Sequence, residues 1–193
     1  ILRRLDLMEK VRLGVIGLGN MGTGHIGNIL AGKCPEIEVT AVADINPAKF
    51  AWATEHIPAA KQFNTGEEMM DSGLVDAVLI CVPHYFHPPL AIAAMKRGLH
   101  VMSEKPAGVY TKQVKEMNEQ AKKSNVVFGL MFNQRTNPVF RKMREIVQSG
   151  EMGEIRRTSW IITSWYRAQA YYDSGAWRAT WSGEGGGVLL NQC

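Results

Sequence analysis

Three glycines and one acid carry the plainest chemistry in this sequence. Gly17, Gly19 and Gly22 stand in the spacing G-x-G-x-x-G, within GLGNMG, and Asp44 lies 22 residues beyond the last of them. Each glycine answers a separate need. Gly17 permits a sharp turn, Gly19 lets backbone approach a pyrophosphate, and Gly22 lets a helix pack close to a strand. The helix that follows offers unpaired N–H groups and a partial positive charge to phosphates. An acid at the end of the next strand accepts from a ribose. Asp44 would accept from both ribose hydroxyls and repel a 2′-phosphate. Ile45 and Asn46 follow it, and the nearest cation, Lys49, is expected to face solvent. The set predicts NAD(H) over NADP(H) as cofactor.

The glycines mean this only if a strand leads into them and a helix leads out. Val11, Leu13, Val15 and Ile16 predict a buried strand, and His25 to Leu30 reads as helix. Glu38 to Asp44, EVTAVAD, is the second strand. Asn46 and Pro47 open a helix to His56, and Thr65 with Glu68 forms a capping pattern for a short helix to Asp71. Asp76 to Val82, DAVLICV, is a continuous apolar strand of the kind buried on both faces of a parallel sheet. A helix from Pro88 to Arg97, a strand from Leu99 to Ser103, a helix from Thr111 to Lys123 and a strand from Asn125 to Phe132 follow. Alternation of this kind implies an α/β fold, a doubly wound parallel sheet of Rossmann type over residues 8–132.

The character changes at Asn133. Asn137 and Pro138 cap a helix to about Gln148, and Gly150 ends it. Glu154 to Trp165, EIRRTSWIITSW, predicts a long strand, the start of an incomplete α+β domain over residues 133–193. Ala168 to Gly187, rich in Tyr, Trp and Gly, reads as loop.

Composition narrows the function. A net charge of +4 is modest and scattered, with no basic run interleaved with aromatics, which argues against nucleic acid. No apolar run approaches the length of about 18 residues that a membrane helix needs. Ile1 to Lys10 lacks the apolar core of a leader, and Met8 reads as a natural start. Cys34, Cys81 and Cys193 are odd in number and contain no C-x-x-C, which fits a reducing cytoplasm and no thiolate zinc site.

In an open parallel sheet, ligands bind beyond the carboxyl ends of the strands. Five clusters fall there: Gly17–Gly22, Asp44, Val82–His87, Ser103–Pro106 and Asn133–Arg135. The runs GLGNMG, CVPHYFH, SEKPAG, NQRTNP and WRATWSGEGGG together resemble the glucose–fructose oxidoreductase / inositol dehydrogenase / MocA family. The resemblance covers nearly the whole chain from Val11, and E-K-P is its most specific mark. It implies a Rossmann domain followed by an α+β domain often used for oligomer contacts, hence a homo-oligomer. It implies NAD(P)-dependent oxidation of a ring hydroxyl of a sugar or polyol, or reduction of the ketone.

The resemblance also implies roles. Gly17, Gly19, Asn20, Met21 and Gly22 match the pyrophosphate loop, and Asp44 the ribose acid. Pro83 and His87 match P-x-x-x-H beside the nicotinamide ribose, with His84 where Asn is commoner. Glu104, Lys105 and Pro106 match E-K-P. Asn133 and Arg135 match polar positions near nicotinamide and substrate, and Trp177 and Arg178 a loop that reaches the substrate. Lys105 is the expected acid/base. Its ammonium beside an oxidised nicotinamide loses proton affinity through desolvation and like charge. Neutral, it accepts the hydroxyl proton; charged, it polarises a ketone. Tyr166, Tyr171, Tyr172, Trp177 and Trp181 offer ring faces for stacking on a sugar or for packing.

One family motif departs. D-x-x-x-H should follow the glycine-rich segment, but Asn191 stands at the Asp position, and the His position, 195, lies past the last residue. Asn191 hydrogen-bonds a hydroxyl but holds no negative charge. Two other readings therefore stand beside the dehydrogenase: an NAD-binding chain without turnover, and an NAD-dependent glycosidase that returns the hydride each cycle.

Overall fold

A computed structural model of the chain describes residues 9–163 and 166–191. Met8, the end of the expected strand at Trp165, and Cys193 lie outside the described residues.

Six strands make one sheet in the order β3-β2-β1-β4-β5-β6, with every pair parallel. They are β1 Val11–Ile16, β2 Ile37–Ala43, β3 Lys61–Phe63, β4 Ala77–Ile80, β5 His100–Ser103 and β6 Phe128–Leu130. The strand order reverses between β1 and β4, which opens a crevice at the carboxyl end of the sheet. The crossover helices are α1 Asn20–Leu30, α2 Phe50–His56, α3 Gly66–Met70, α4 His87–Lys96 and α5 Thr111–Lys123.

Successive strand residues point to opposite faces, and the core divides accordingly. On one face Ile16, Ala41, Ala43, Val78, Ile80 and Val101 pack with Met69, Met95 and Met117 from the helices. On the other, Leu13, Val15, Val42 and Leu79 pack with Ile26 of α1 and Ala53 of α2. The expected capping box is present: Thr65 Oγ1 accepts from Glu68 N, and Glu68 Oε2 accepts from Thr65 N.

Beyond Asn133 lie α6 Pro138–Ser149, α7 Gln169–Asp173, α8 Trp181–Glu184 and α9 Val188–Asn191. Two expectations are corrected here. Residues 154–163 form no strand. A strand needs a neighbouring strand to pair its N–H and C=O groups, and among the described residues none pairs with this segment. The stretch read as loop from Ala168 carries α7 and α8, short helices of five and four residues. They are set by local turns such as the Thr180 cap, whose hydroxyl accepts from Gly183 N.

Candidate active site

The site begins at the glycine turn. Gly17 has φ +95°, a left-handed conformation that suits glycine, and its N–H bonds the end of β2 at Ala43 O. A Cβ at Gly17 would collide with Cys81 O, and one at Gly22 would drive into Gly17 O. Gly19 differs: nothing lies near where its Cβ would be, so its backbone stands open. Gly19 is the N-cap of α1 and no side chain caps the helix, which leaves the first-turn N–H groups free for an anion. Asn20 and Met21 are exposed beside them.

Asp44 reaches back to this turn. Its Oδ2 accepts from Leu18 N at 2.7 Å and its Oδ1 from Asn46 N at 2.8 Å. A carboxylate has about four lone-pair sites, so both oxygens keep capacity for a ribose. Lys49 is exposed. An open backbone, an uncapped helix start and a carboxylate at the end of β2 fit a dinucleotide.

The turn after β5 carries Glu104, Lys105 and Pro106. Glu104 is buried, and its two oxygens have separate tasks. Oε1 faces His25 Nε2 of α1 at 2.7 Å, and Oε2 accepts from Lys105 N at 3.1 Å. The helix that would hold the pyrophosphate is thus tied to the backbone of the lysine. The sequence reading set His25 in the helix but assigned it no role in the site, although its place three residues after Gly22 puts it on the same face of α1.

Lys105 is partly buried. Its Nζ donates to Asn191 O at 2.8 Å and to Asn191 Oδ1 at 3.0 Å. Burial pushes the amine below the ordinary lysine range, Arg167 and Arg178 push it the same way, and Glu104 and Glu184 oppose them. Glu184 is a second residue absent from the sequence reading. The signal was an acid set among glycines in SGEGGG.

His84 is buried, and its Nδ1 donates to Glu184 O at 3.0 Å. Burial holds its pKa below the ordinary value, against the pull of that carbonyl. Trp177 meets the His84 ring edge-on, with centroids 5.1 Å apart. His87 is also buried, with Nδ1 2.7 Å from Pro106 O and Nε2 2.7 Å from Val82 O. It braces the β4 loop, including the partly buried Pro83, against the lysine turn. Cys81 lies below, its thiol pushed up by burial.

Not every expected residue joins this cluster. Asn133 and Arg135 are exposed after β6, and Arg135 lies over the Phe132 ring at 5.3 Å. Their neighbour Gln134 instead lines a cavity of about 810 Å³, with Tyr171, Tyr172, Trp181, Glu184 and Asn191. Arg178 donates to Tyr171 Oη at 2.6 Å and lies over the rings of Tyr171 and Trp177. Tyr166 is 89% exposed and takes no part. No group of three or more His, Cys, Asp or Glu side chains among the described residues is arranged to hold a metal.

Residues 11–132 match the oxidoreductase family with an NAD-binding Rossmann fold, and residues 140–193 match the GFO/IDH/MocA C-terminal domain. The chain belongs to the Gfo/Idh/MocA oxidoreductase family. This Gfo/Idh/MocA chain is 32% identical over 152 residues to inositol 2-dehydrogenase of Corynebacterium glutamicum, covering 77% of this chain and 44% of that protein. The rhizopine catabolism protein MocA of Rhizobium meliloti is 29% identical over 185 residues, 95% of this chain and 54% of that one. The chain therefore spans about half the length of these curated relatives or less.

Solved structures agree. Scyllo-inositol dehydrogenase from Lactobacillus casei, with bound NAD(H) and scyllo-inositol, superposes with TM-score 0.71 and 29% identity over 76% of this chain and 43% of that one. The WlbA dehydrogenase from Bordetella pertussis, in complex with NADH and UDP-GlcNAcA, superposes with TM-score 0.83 and 28% identity over 95% of this chain and 52% of that one. Among the described residues, no helix is long and apolar enough to cross a membrane.

Proposed function

We propose that the protein to which this chain belongs oxidises a ring hydroxyl of a sugar or polyol, or reduces the ketone, with NAD(H), and that Lys105 is its acid/base. The observation that carries this is the hydrogen bonding of Lys105 Nζ. A neutral lysine amine has two N–H bonds and one lone pair. Asn191 O and Oδ1 supply two acceptors for those N–H bonds. The lone pair is then free to take a hydroxyl proton, and burial favours this neutral form. Protonated, the same nitrogen gains a third donor, which polarises a ketone in the reverse direction.

Gly19, the start of α1 and Asp44 would hold NAD, whose nicotinamide supplies the hydride acceptor. Asp44, followed by no cation until Lys49, favours NAD over NADP. Glu104 orients the lysine backbone, and His25 orients Glu104. The aromatic wall of the cavity suits a sugar ring. A second reading of the substrate is a sugar bearing a nucleotide. The WlbA superposition reaches 95% of the chain, against 76% for the inositol enzyme.

The test is Lys105→Met in the protein expressed from its complete reading frame, assayed against inositols and nucleotide sugars. Turnover should fall by at least about 100-fold, the lower end for general acid–base assistance. NAD affinity should stay within about twofold of the parent and exceed that for NADP by at least about tenfold, or about 1.4 kcal/mol. Retained turnover would remove the lysine assignment. Comparable affinity for both nucleotides would remove the cofactor preference. NAD binding without turnover of any polyol would favour a non-catalytic NAD protein, and leaving-group release without net NADH a glycosidase.

A further inference from the structure

Asn191 stands where an acid would give Lys105 a negative neighbour, yet the structure places a carboxylate one link further out. Asn191 Nδ2 donates to Glu184 Oε1 at 3.0 Å, while Oδ1 of the same amide accepts from Lys105 Nζ at 3.0 Å. A carboxylate only accepts and an amine here only donates, so the amide has one orientation that satisfies both. Glu184 is itself held at three points. Its Oε2 accepts from Ala179 N at 3.1 Å, and its backbone carbonyl accepts from the buried His84. It closes α8, whose start Thr180 caps. Ala179 has φ +56°, a left-handed conformation uncommon for a residue with a side chain, and that turn aims its N–H at the carboxylate.

We infer that Glu184 is a positioning residue of this site: through the Asn191 amide it supplies the negative charge that position 191 lacks and aims the amide oxygen at Lys105. The inference rests on the reading of Lys105 as acid/base. The groups facing Lys105 then form a balance. Burial, Arg167 and Arg178 favour the amine, whereas Glu104 and Glu184 favour the ammonium. His84, held toward its neutral form by burial, contributes a hydrogen bond to Glu184 rather than a charge. Glu104 is committed to His25 and to the Lys105 backbone. Glu184 is thus the acid that reaches the lysine side chain through a hydrogen-bonded link. Its charge acts with the larger influence of Glu104 to raise the pH at which Lys105 turns from proton donor to proton acceptor.

The experiment reads Lys105 directly. The protein from its complete reading frame, labelled with 13C-lysine and loaded with NAD, is titrated by NMR, with Lys105→Met identifying the resonance. Glu184→Gln keeps the shape and removes the charge, and should lower the Lys105 midpoint by about half a pH unit or more, roughly a threefold change in proton affinity. Glu184→Ala should lower it at least as far, and Glu184→Asp should restore most of the parent value. NAD affinity should stay within about twofold in all three, since Glu184 lies outside the glycine turn. A midpoint that does not move in Glu184→Gln or Glu184→Ala overturns the inference, whatever Lys105→Met does to turnover. A lysine coupled to Glu184 yet dispensable for turnover overturns the acid/base reading and, with it, this role for Glu184.

Discussion

The sheet region and the segment after Asn133 are held in different ways. In the sheet region, Val15, Val42, Val78 and Ile80 of the strands and Met117 of α5 are wholly buried. In α6 and α7 no residue is buried, and in α8 Gly183 is. Yet α6 has a good apolar stripe, with Val139, Phe140, Met143 and Val147 at helical spacing, each at least 38% exposed. A stripe makes a helix ready to pack; a core needs a second layer to receive it. The two regions are joined instead by directional polar bonds. Tyr85 Oη donates to Trp181 O, His84 to Glu184 O, and Lys105 to Asn191. All three lie at the carboxyl end of the sheet, so the candidate site is also where the regions meet.

The largest effect that would test this contrast comes from the glycine turn. Gly22→Ala should abolish folding of the sheet region, because its Cβ has no space beside Gly17 O. Gly19→Ala should melt within a few degrees of the parent but bind NAD at least about tenfold more weakly. Gly19 already has an extended backbone, with φ −78° and ψ −173°, so alanine is not strained there. Thermal melts and NAD titration of the two variants separate a residue needed by the fold from one needed by the ligand. Loss of folding in both would break that separation.

A middle-sized effect compares two isoleucines. Ile80 is wholly buried, and Ile80→Ala should cost about 2–5 kcal/mol in urea unfolding. Ile162 is 47% exposed, and Ile162→Ala should stay within about 0.5 kcal/mol. Similar costs would show that the segment after Asn133 has a buried environment in solution.

The smallest effect lies at the opposite end of the sheet. Arg12 of β1 bonds Asp76, just before β4, with Nη2 2.6 Å from Oδ1 and Nε bonded to both oxygens. The guanidinium hydrogen bond holds the Asp76 carboxyl below its ordinary 3.8. A lowered acid contributes stability above its unfolded value that is lost as the pH falls through the folded value. Asp76→Asn should therefore flatten the stability slope below about pH 4 and leave NAD affinity unchanged. Both side chains are more than 40% exposed, so the change near neutral pH should be slight. An unaltered acid slope would mean the bond is not formed in solution.

Much of the fold was legible because its signals are local. The helix expected from Thr111 to Lys123 has those bounds in the structure, and Thr65 and Glu68 form the box that their spacing implies. The short β3, three residues carrying a lysine and a glutamine, has no such pattern and is recruited by pairing with β2. The segment from Glu154 to Trp165 shows the converse. Its β-forming side chains suit a strand, but over residues 154–163 pairing, which propensity does not supply, is missing.

The sequence alone determined what backbone geometry demands of individual residues. Gly17 permits the sharp turn, Gly22 lets the helix close on the strand, the acid follows the second strand, and strands alternate with helices. Those demands act over a few residues and leave a readable spacing. Only the tertiary structure decided what surrounds Lys105. His25 reaches Glu104 across 79 positions, and Asn191 reaches Lys105 across 86. Glu184 enters the site through that asparagine. Such bonds depend on where the chain returns in space, and hydrogen-bond partners so far apart leave no period along the chain.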